Sequence, residues 1–229
     1  MVPLDHGISM GPAPGLEDPA RVLAAVADDA TCVTLHKGLL AHAEPYADRL
    51  GVLMHLSAST DAAPDPHDKR LVGTVEEAVR RGCDGVSIHV NVGAATEARM
   101  LEDAGRTSTA CEAWGMPLVA MMYPRGPHVK DPFDPALVAH AARLGAELGA
   151  DLVKVPYTGS EASFRRVVEG AVVPVLVAGG PRRPSLESFL EDMRGAVAAG
   201  AAGVSVGRNV FQHDEPGTAL RAIAALFRS

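Results

Sequence analysis

The chain has 229 residues, of which 47% are hydrophobic and 21% are charged, and its formal net charge is −7. This composition is typical of a soluble α/β protein with one large core, and the acidic balance gives no support for a nucleic acid or an anionic membrane as partner. No apolar run approaches the ~18 residues of a membrane-spanning helix, and three scattered cysteines without a C-x-x-C pair indicate reduced thiols in a cytoplasmic protein.

Eight short apolar segments alternate with helix-like runs along the chain. Before four of these segments, a helix-like run ends in small residues, and a β-branched strand begins two or three residues later. This repetition predicts parallel βα units. The predicted strands are Val2–Asp5, Thr31–His36, Val52–Leu56, Gly85–Val90, Leu118–Met122, Leu152–Val155, Val173–Ala178 and Val204–Gly207.

Several predicted helices begin at capping sequences. Asp18 and Asp134 each precede a proline that would occupy the first helical position. The segment from Thr74 to Glu77 reads as a capping box. Further candidate caps are Ser160, Ser185 and Thr218, for helices near residues 161–169, 186–199 and 219–227.

Eight strands that alternate with helices predict an α/β fold, a (β/α)8 TIM barrel formed as a single domain by residues 1–229. The alternative is an open doubly wound sheet, which the missing G-x-G-x-x-G after the first strand disfavours. Because the first predicted strand begins at residue 2, nothing upstream covers the bottom of the barrel. We therefore expect an N-terminal covering helix to be missing from this chain.

Polar side chains follow nearly every predicted strand. In a barrel the carboxyl ends of the strands form one face, which is where active sites lie. This concentration therefore predicts an active site on that face. The segments are Asp5-His6-Gly7, His36-Lys37-Gly38, His55-Leu56-Ser57, His89-Val90-Asn91, Tyr123-Pro124-Arg125-Gly126, Lys154, Gly179-Gly180-Pro181-Arg182 and Gly207-Arg208-Asn209.

Lys154 lies at the centre of an otherwise apolar strand, in a chain with four lysines and seventeen arginines. Side chains alternate along a strand, so Lys154 is expected to point away from Val153 and Val155. Burial disfavours the charged ammonium, and a neutral amine attacks carbonyl groups to form a Schiff base. The alternative is a lysine that reaches water or pairs with a carboxylate. The polar strand ends on the same face favour the nucleophile.

Two further side chains are candidates for proton transfer. Tyr123 can donate and accept a proton, and Asp5 can hold or relay one. Since Asp5 lies in an apolar strand, it needs a cationic partner, and Lys154 across the barrel is the economical candidate.

The loops after the seventh and eighth predicted strands indicate a phosphate site. Gly179, Gly180 and Gly207 would let backbone N–H groups approach a phosphate closely, and Arg208 or Arg182 could supply a charged fork. The alternative is that these glycines only turn the chain.

Histidines at the ends of the first four strands raise the alternative of a Zn²⁺ site. However, the H-x-H and H-E-x-x-H spacings are absent, so we expect these histidines to bind substrate or to stabilise the rim, and no metal is predicted.

These segments resemble the archaeal-type class I aldolases, which form a Schiff base and include fructose-bisphosphate aldolase and 2-amino-3,7-dideoxy-D-threo-hept-6-ulosonate synthase. The similarity runs from residue 2 to the end of the chain. His55–Thr60 and His89–Asn91 are similar to the heptulosonate synthases and to the bacterial synthases that join dihydroxyacetone phosphate to aspartate semialdehyde. The motifs that carry the resemblance are Asp5–Pro12, Leu35–Gly38, His55–Thr60, Met121–Pro127, Val153–Gly159, Ala178–Pro181 and Val206–Gln212.

The resemblance implies roles for individual residues. Lys154 would form the Schiff base, Tyr123 would be the general acid/base, and Asp5 would be a second acid/base. Gly179, Gly180, Gly207 and Arg208 would hold the phosphate. Further residues assigned to the binding of substrate or phosphate are His6, Gly7, Ile8, Ser9, His36, Lys37, His89, Pro124 and Arg125.

The resemblance also implies the partners. They are a phosphorylated ketose and an aldehyde, with no cofactor, and relatives suggest a homo-oligomer such as a decamer. The chain departs from the family at its missing N-terminal segment and at Arg182, where many relatives have lysine. Three functions remain open: an amino-heptulosonate-type aldolase or transaldolase, a fructose-bisphosphate or related sugar-phosphate aldolase, and a non-catalytic barrel that binds a phosphorylated metabolite.

Overall fold

The computed structural model describes residues 1–227. Its main sheet contains eight strands, and every neighbouring pair runs parallel, in the order of the sequence. A separate antiparallel hairpin lies between the third and fourth strands of this sheet. The main strands are β1 (Val2–Pro3), β2 (Cys32–Leu35), β3 (Gly51–His55), β6 (Gly85–Val92), β7 (Leu118–Pro124), β8 (Leu152–Pro156), β9 (Val175–Ala178) and β10 (Gly203–Ser205), and the hairpin strands are β4 (Ser57–Ala58) and β5 (Arg70–Leu71).

Hydrogen bonds of Met1 bring the last strand beside the first. Its ammonium donates to the carbonyl of Val204 at 3.0 Å, and its carbonyl accepts from the N–H of Val206 at 3.1 Å. The eight parallel strands thus curl into a barrel, and the predicted (β/α)8 fold is confirmed.

Helices cover the outside of the barrel. Five of the six predicted N-caps are confirmed: the side chains of Asp18, Thr74, Asp134, Ser160 and Ser185 each accept a hydrogen bond from a backbone N–H in the first turn. The α-helices are α1 (Gly7–Met10), α2 (Pro19–Val26), α3 (Val75–Arg80), α4 (Glu97–Trp114), α5 (Pro135–Glu147), α6 (Glu161–Ala171), α7 (Leu186–Ala198), α8 (Arg208–Phe211) and α9 (Pro216–Ala224), and Lys37–Tyr46 and Ala225–Phe227 form 3-10 helices.

The predicted cap at Thr218 is wrong. Helix α9 already begins at Pro216, with Glu215 at the N-cap. Proline is well suited to the first helical position, since its missing N–H would have no partner there. The helix therefore begins three residues before the position that the threonine indicated.

Some predicted strand limits also differ. Strand β1 ends at Pro3, so Asp5 lies in the loop beyond it, whereas β6 and β7 continue to Val92 and Pro124. Strand β9 begins at Val175 because Pro174 has no N–H to donate to the ladder. Because β7 extends to Pro124, Tyr123 is a strand residue and the sheet fixes its position.

Apolar side chains form two layers. Val153 and Val155 belong to the larger layer, between the strands and the helices. Leu53, Val119 and Leu176 fill the inside of the barrel, with Leu152 packed against them. Lys154 shares a strand face with Leu152, so its side chain enters the barrel nearer the carboxyl ends of the strands, and the predicted alternation is confirmed. No helix within residues 1–227 is both long and apolar enough to cross a bilayer.

Candidate active site

Lys154 lies inside the barrel, and only 6% of its surface is exposed. Its Nζ lies 3.8 Å from the sulfur of Met121 on the neighbouring strand β7. Among residues 1–227, no carboxylate comes within 4 Å of this amine to form an ion pair with it. The amine therefore neither reaches bulk water nor is tied to an acid, and it is free to attack a carbonyl group.

Asp5 follows strand β1 at the same end of the barrel. Its Oδ1 lies 3.4 Å from Nδ1 of His6, and its Oδ2 lies 3.7 Å from Nε2 of His55. Burial alone would raise the pKa of Asp5, but Coulombic interactions with the basic groups of His55, His6 and Lys154 outweigh this effect and lower the pKa below its usual range. The predicted direct partner was wrong: histidines contact Asp5, and Lys154 acts on it from beyond 4 Å.

His55 contacts both Asp5 and Ser87 of strand β6. Its Nδ1 lies 2.8 Å from the hydroxyl of Ser87, and its ring packs edge to face with that of His36, with 5.2 Å between the centroids. Burial lowers the pKa of His55 to about 3, so the ring is neutral at neutral pH. A hydrogen bond with Ser87 fixes the orientation of this ring, which in turn faces Asp5.

Tyr123 is held from two sides. The ring of His89 lies beside it, with 4.9 Å between the centroids, and the guanidinium of Arg125 lies 4.4 Å from the centre of the tyrosine ring. His89 is itself fixed by a 2.9 Å hydrogen bond between its Nε2 and Oδ1 of Asn91. The phenol therefore has a defined position at the carboxyl end of β7, next to the strand that carries Lys154.

The glycine loops after β9 and β10 are joined by Asn209. Its side-chain amide donates to the carbonyls of Gly179 and Pro181, both at 2.9 Å, and its Oδ1 accepts from the N–H of Arg183 at 2.7 Å. A Cβ on Gly207 would lie 2.6 Å from Cε1 of His6, so only glycine fits between the loop and this ring. The two loops thus form one rigid backbone surface.

Arg208 adds a cation to these loops. Burial lowers its pKa, and the neighbouring Tyr123 raises it. Its Nε is buried and has no hydrogen-bond partner among the described residues. A buried donor without a partner is costly, and an anion on the loops would satisfy it.

Residues 1–213 match the family model described as DeoC/LacD family aldolase. The chain belongs to this aldolase family. It is 48% identical, over 95% of its length and 80% of the relative, to 2-amino-4,5-dihydroxy-6-oxo-7-(phosphonooxy)heptanoate synthase of Streptomyces griseus. It is also 48% identical, over 94% of its length and 80% of the relative, to 2-amino-3,7-dideoxy-D-threo-hept-6-ulosonate synthase 1 of Archaeoglobus fulgidus.

A solved Schiff-base-forming fructose-1,6-bisphosphate aldolase shares the fold of the chain. The TM-score is 0.91 and the identity is 33%, with 98% of this chain and 92% of that one covered. The predicted family and the predicted enzyme class, a class I aldolase, are therefore confirmed.

The rim of the aldolase holds most of the other predicted residues. His36 has a buried Nε2 without a hydrogen-bond partner in the described chain. In the short helix α1, Ser9 donates to the carbonyl of Ser59 at 2.9 Å, whereas Ile8 is 39% exposed. The binding roles of these residues stay predictions. The predicted residues at this end of the barrel are His6, Gly7, Ile8, Ser9, His36, His89, Pro124 and Arg125.

Lys37 stands apart from the other predicted residues. It forms a 3.1 Å ion pair with Glu77 of helix α3, and 45% of its side chain is exposed. The structure brings a different lysine, Lys69, to the rim, where its Nζ donates to the hydroxyl of Ser59 at 2.6 Å. Sequence reasoning missed Lys69 because it does not come directly after a strand of the barrel. Within residues 1–227, no three His, Cys, Asp or Glu side chains are arranged to hold a metal ion.

The neutral His55 makes the aldolase sensitive to acid. Burial lowers the pKa of His55 from 6.5 to about 3 in the folded state. Between these two pH values, His55 is therefore more protonated in the unfolded chain than in the folded one. The contribution of His55 to the free energy of unfolding should therefore be fully present above about pH 6.5 and should decrease as the pH drops towards 3. Urea titrations between pH 7.5 and 4.5 measure this slope.

Replacement of His55 by Asn should reduce the slope, because the amide retains a hydrogen bond to Ser87 and does not titrate. His6, His36 and His89, whose pKa values burial also lowers, should account for the slope that remains. The matched control is His42→Asn, since His42 is exposed and should leave the slope unchanged. An equal slope in the parent and in His55→Asn would contradict the assignment.

Proposed function

We propose that this aldolase forms a Schiff base between Lys154 and a phosphorylated ketose and transfers the resulting enamine to aspartate semialdehyde. The product is a seven-carbon amino sugar. It keeps the phosphate when the enamine fragment carries it, and it lacks the phosphate when the phosphate departs on the carbonyl fragment that C–C cleavage of the donor releases. The observation that carries the proposal is the buried amine of Lys154 inside the barrel, which forms no ion pair with any residue from 1 to 227. The two synthases that are 48% identical to the chain support the seven-carbon product.

In the first stage, the neutral amine of Lys154 attacks the ketone carbon and forms a carbinolamine. Tyr123 donates a proton to the departing hydroxyl group, which leaves as water, and an iminium ion remains. The buried site favours this step because the amine approaches the carbonyl in a fixed geometry.

In the second stage, the iminium accepts the electron pair of the adjacent C–C or C–H bond and becomes an enamine. Asp5 is ionised at neutral pH because its pKa is lowered, so it can stabilise the iminium cation or accept a proton. The enamine carbon then attacks the aldehyde carbon of the acceptor, whose oxygen takes up a proton. Water hydrolyses the new iminium, releases the ketone product and restores the amine of Lys154.

The donor phosphate is proposed to lie on the loops of Gly179, Gly180, Gly207 and Arg208. Replacement of Arg208 by Ala should weaken binding of a phosphorylated donor by about 1.5–3 kcal/mol, the contribution of a charge-assisted hydrogen bond. The KM of the phosphorylated donor and that of its unphosphorylated analogue are the measurements. Arg166→Ala is the matched control, since Arg166 is exposed on helix α6 and was never assigned to the site. Equal losses for both donors would remove the phosphate from this loop.

A second function is a sugar-phosphate aldolase that uses the same residues, such as fructose-bisphosphate aldolase. The fold that the chain shares with the Schiff-base-forming enzyme supports it. The deciding experiment is a product assay with aspartate semialdehyde and with glyceraldehyde 3-phosphate, each offered with dihydroxyacetone phosphate and fructose 1,6-bisphosphate. A seven-carbon amino product supports the proposal, and formation of a hexose bisphosphate alone contradicts it.

The setting of the enzyme is also part of the proposal. Cys32, Cys83 and Cys111 are all free thiols, which supports a reducing, cytoplasmic location. Trp114 and Phe133 are each about half exposed, at 53% and 50%, which supports burial in a homo-oligomer. Light scattering on the purified protein measures the oligomeric state.

A further inference from the structure

The antiparallel hairpin of residues 57–71 is fixed to the barrel beside the candidate active site. The hydroxyl of Ser57 accepts from the N–H of His89 at 3.0 Å, and the side-chain amide of Asn91 donates to the carbonyl of His67 at 2.8 Å. Arg99 of helix α4 donates to the carbonyl of Lys69 at 2.9 Å and pairs with Asp68. These bonds hold the end of the hairpin, including the backbone of Lys69, in one position.

Lys69 directs its ammonium from the hairpin to the rim of the barrel. Its Nζ donates to the hydroxyl of Ser59 at 2.6 Å, and the carbonyl of Ser59 accepts from Ser9 of helix α1. Its charge lowers the pKa of His36, His55 and His89, which lie in or directly after the neighbouring strands β2, β3 and β6. The ammonium therefore faces the mouth of the barrel and not the outer surface.

Neither Lys69 nor Arg125 has a carboxylate within 4 Å among the described residues. Burial and the charge of Arg125 both lower the pKa of Lys69, whereas the more distant Asp5 and Asp61 raise it. Two like charges that share a partly buried rim repel each other, and an anion between them would relieve this repulsion.

Lys69 lies apart from the loops proposed for the donor phosphate. It belongs to the hairpin between β3 and β6, whereas Arg208 and the glycine loops follow β9 and β10. In the closed order of strands, β3 is separated from β10 by β1 and β2 on one side and by four strands on the other. Arg125, after β7, lies nearer the donor loops, and its charge lowers the pKa of both Lys69 and Arg208. The hairpin thus holds a cation on the side of the mouth away from the donor loops.

We propose that Lys69, assisted by Arg125, binds the anionic group of the acceptor aldehyde and so selects an acceptor with a negative charge at the end away from its carbonyl. The inference rests on the proposed function, because it needs an enamine on Lys154 for the acceptor to meet. Binding of the anion at the hairpin would place the aldehyde carbon towards Lys154, and a neutral aldehyde would lack this anchor. A carboxylate and a phosphate share the required chemistry.

The test compares acceptors that differ in charge. The parent, Lys69→Met and Lys69→Arg are assayed with dihydroxyacetone phosphate as donor and three acceptors: aspartate semialdehyde, its methyl ester and glyceraldehyde 3-phosphate. Lys69→Met should lower kcat/KM for the anionic acceptor that the parent uses by about ten- to a hundredfold, mainly through KM. The ester should change by less than about twofold, and Lys69→Arg should restore most of the loss because it keeps the charge. The acceptor that shows the loss identifies the anion as carboxylate or phosphate.

Controls separate this inference from the proposed function. Lys130→Met is the matched variant, since Lys130 is exposed and has no place in the site, and it should behave as the parent does. Borohydride with dihydroxyacetone phosphate should trap the same adduct in the parent and in Lys69→Met, because the donor does not use Lys69. Trapping without selective loss, or equal losses for the acid and its ester, overturns the role of Lys69 and leaves the proposed function standing. No adduct in the parent overturns the proposed function, and this inference with it.

Discussion

Lys154→Met should abolish turnover, by at least about a thousandfold, while the protein still folds. The lysine makes no ion pair with any described residue, its amine lies 3.8 Å from the sulfur of Met121, and only 6% of its surface is exposed. Methionine has a similar volume and does not have to be desolvated as a charge, so the melting temperature should equal or exceed that of the parent. Steady-state kinetics and thermal unfolding measure the two effects.

Covalent trapping makes this prediction specific. Borohydride added with the ketose phosphate should reduce the iminium of the parent to a stable adduct, and peptide mapping should place the adduct on Lys154. Lys154→Met should give no adduct, whereas Lys69→Met and Lys37→Met should still give one. An adduct on another lysine, or an active Lys154→Met protein, would overturn the roles of Asp5 and Tyr123 as well, because both depend on the position of Lys154.

Tyr123→Phe should lower kcat by about 10²–10⁴-fold, the usual contribution of a general acid or base. Phenylalanine keeps the ring that packs against His89 and Arg125, so the change removes the hydroxyl and leaves the contacts. Loss of the proton donor should slow the release of water from the carbinolamine. A trapped adduct should therefore form more slowly, which quench-flow with borohydride can measure.

Tyr157→Phe is the matched control for this variant. Tyr157 packs edge to face on Phe164 of helix α6, with 5.3 Å between the centroids, and belongs to the layer outside the barrel. Its replacement should leave kcat and the rate of trapping unchanged. Similar losses for Tyr123→Phe and Tyr157→Phe would show that the phenol of Tyr123 has no special part in the reaction.

Much of the fold could be predicted because it follows from local patterns. Alternation within Leu152–Pro156 placed Lys154 on the inner face, and Asp and Ser caps marked the starts of helices. The hairpin could not be predicted in this way. Its strands have two residues each, so they show no period, and their pairing depends on a loop whose conformation is set by contacts with Asn91 and Arg99.

The candidate site was predictable where chemistry coincides with the end of a strand. Tyr123 and Asp5 meet this condition, and Lys154 stood out as a lysine at the centre of an apolar strand. The contacts that organise these residues join distant segments. His55 meets Asp5 across 50 residues, and Asn209 binds the loop of Gly179 across 30 residues. Lys37 and Lys69 could not be ranked from sequence, because only the structure shows that Glu77 pairs with the first.

The hairpin of residues 57–71 carries the proposed acceptor site on a part of the chain separate from the residues proposed to form and break bonds. It is inserted between β3 and α3, and its ends return to the barrel at Leu56 and Val72, whose backbones hydrogen-bond to each other at 2.8 Å. Strands β7 and β8 carry Tyr123 and Lys154, the residues proposed to make and break bonds, and they come from later segments of the chain. An exchange of this hairpin between relatives would then change which aldehyde is accepted without any change in the bond-forming groups, so new specificities could evolve, or be engineered, by grafting a single loop.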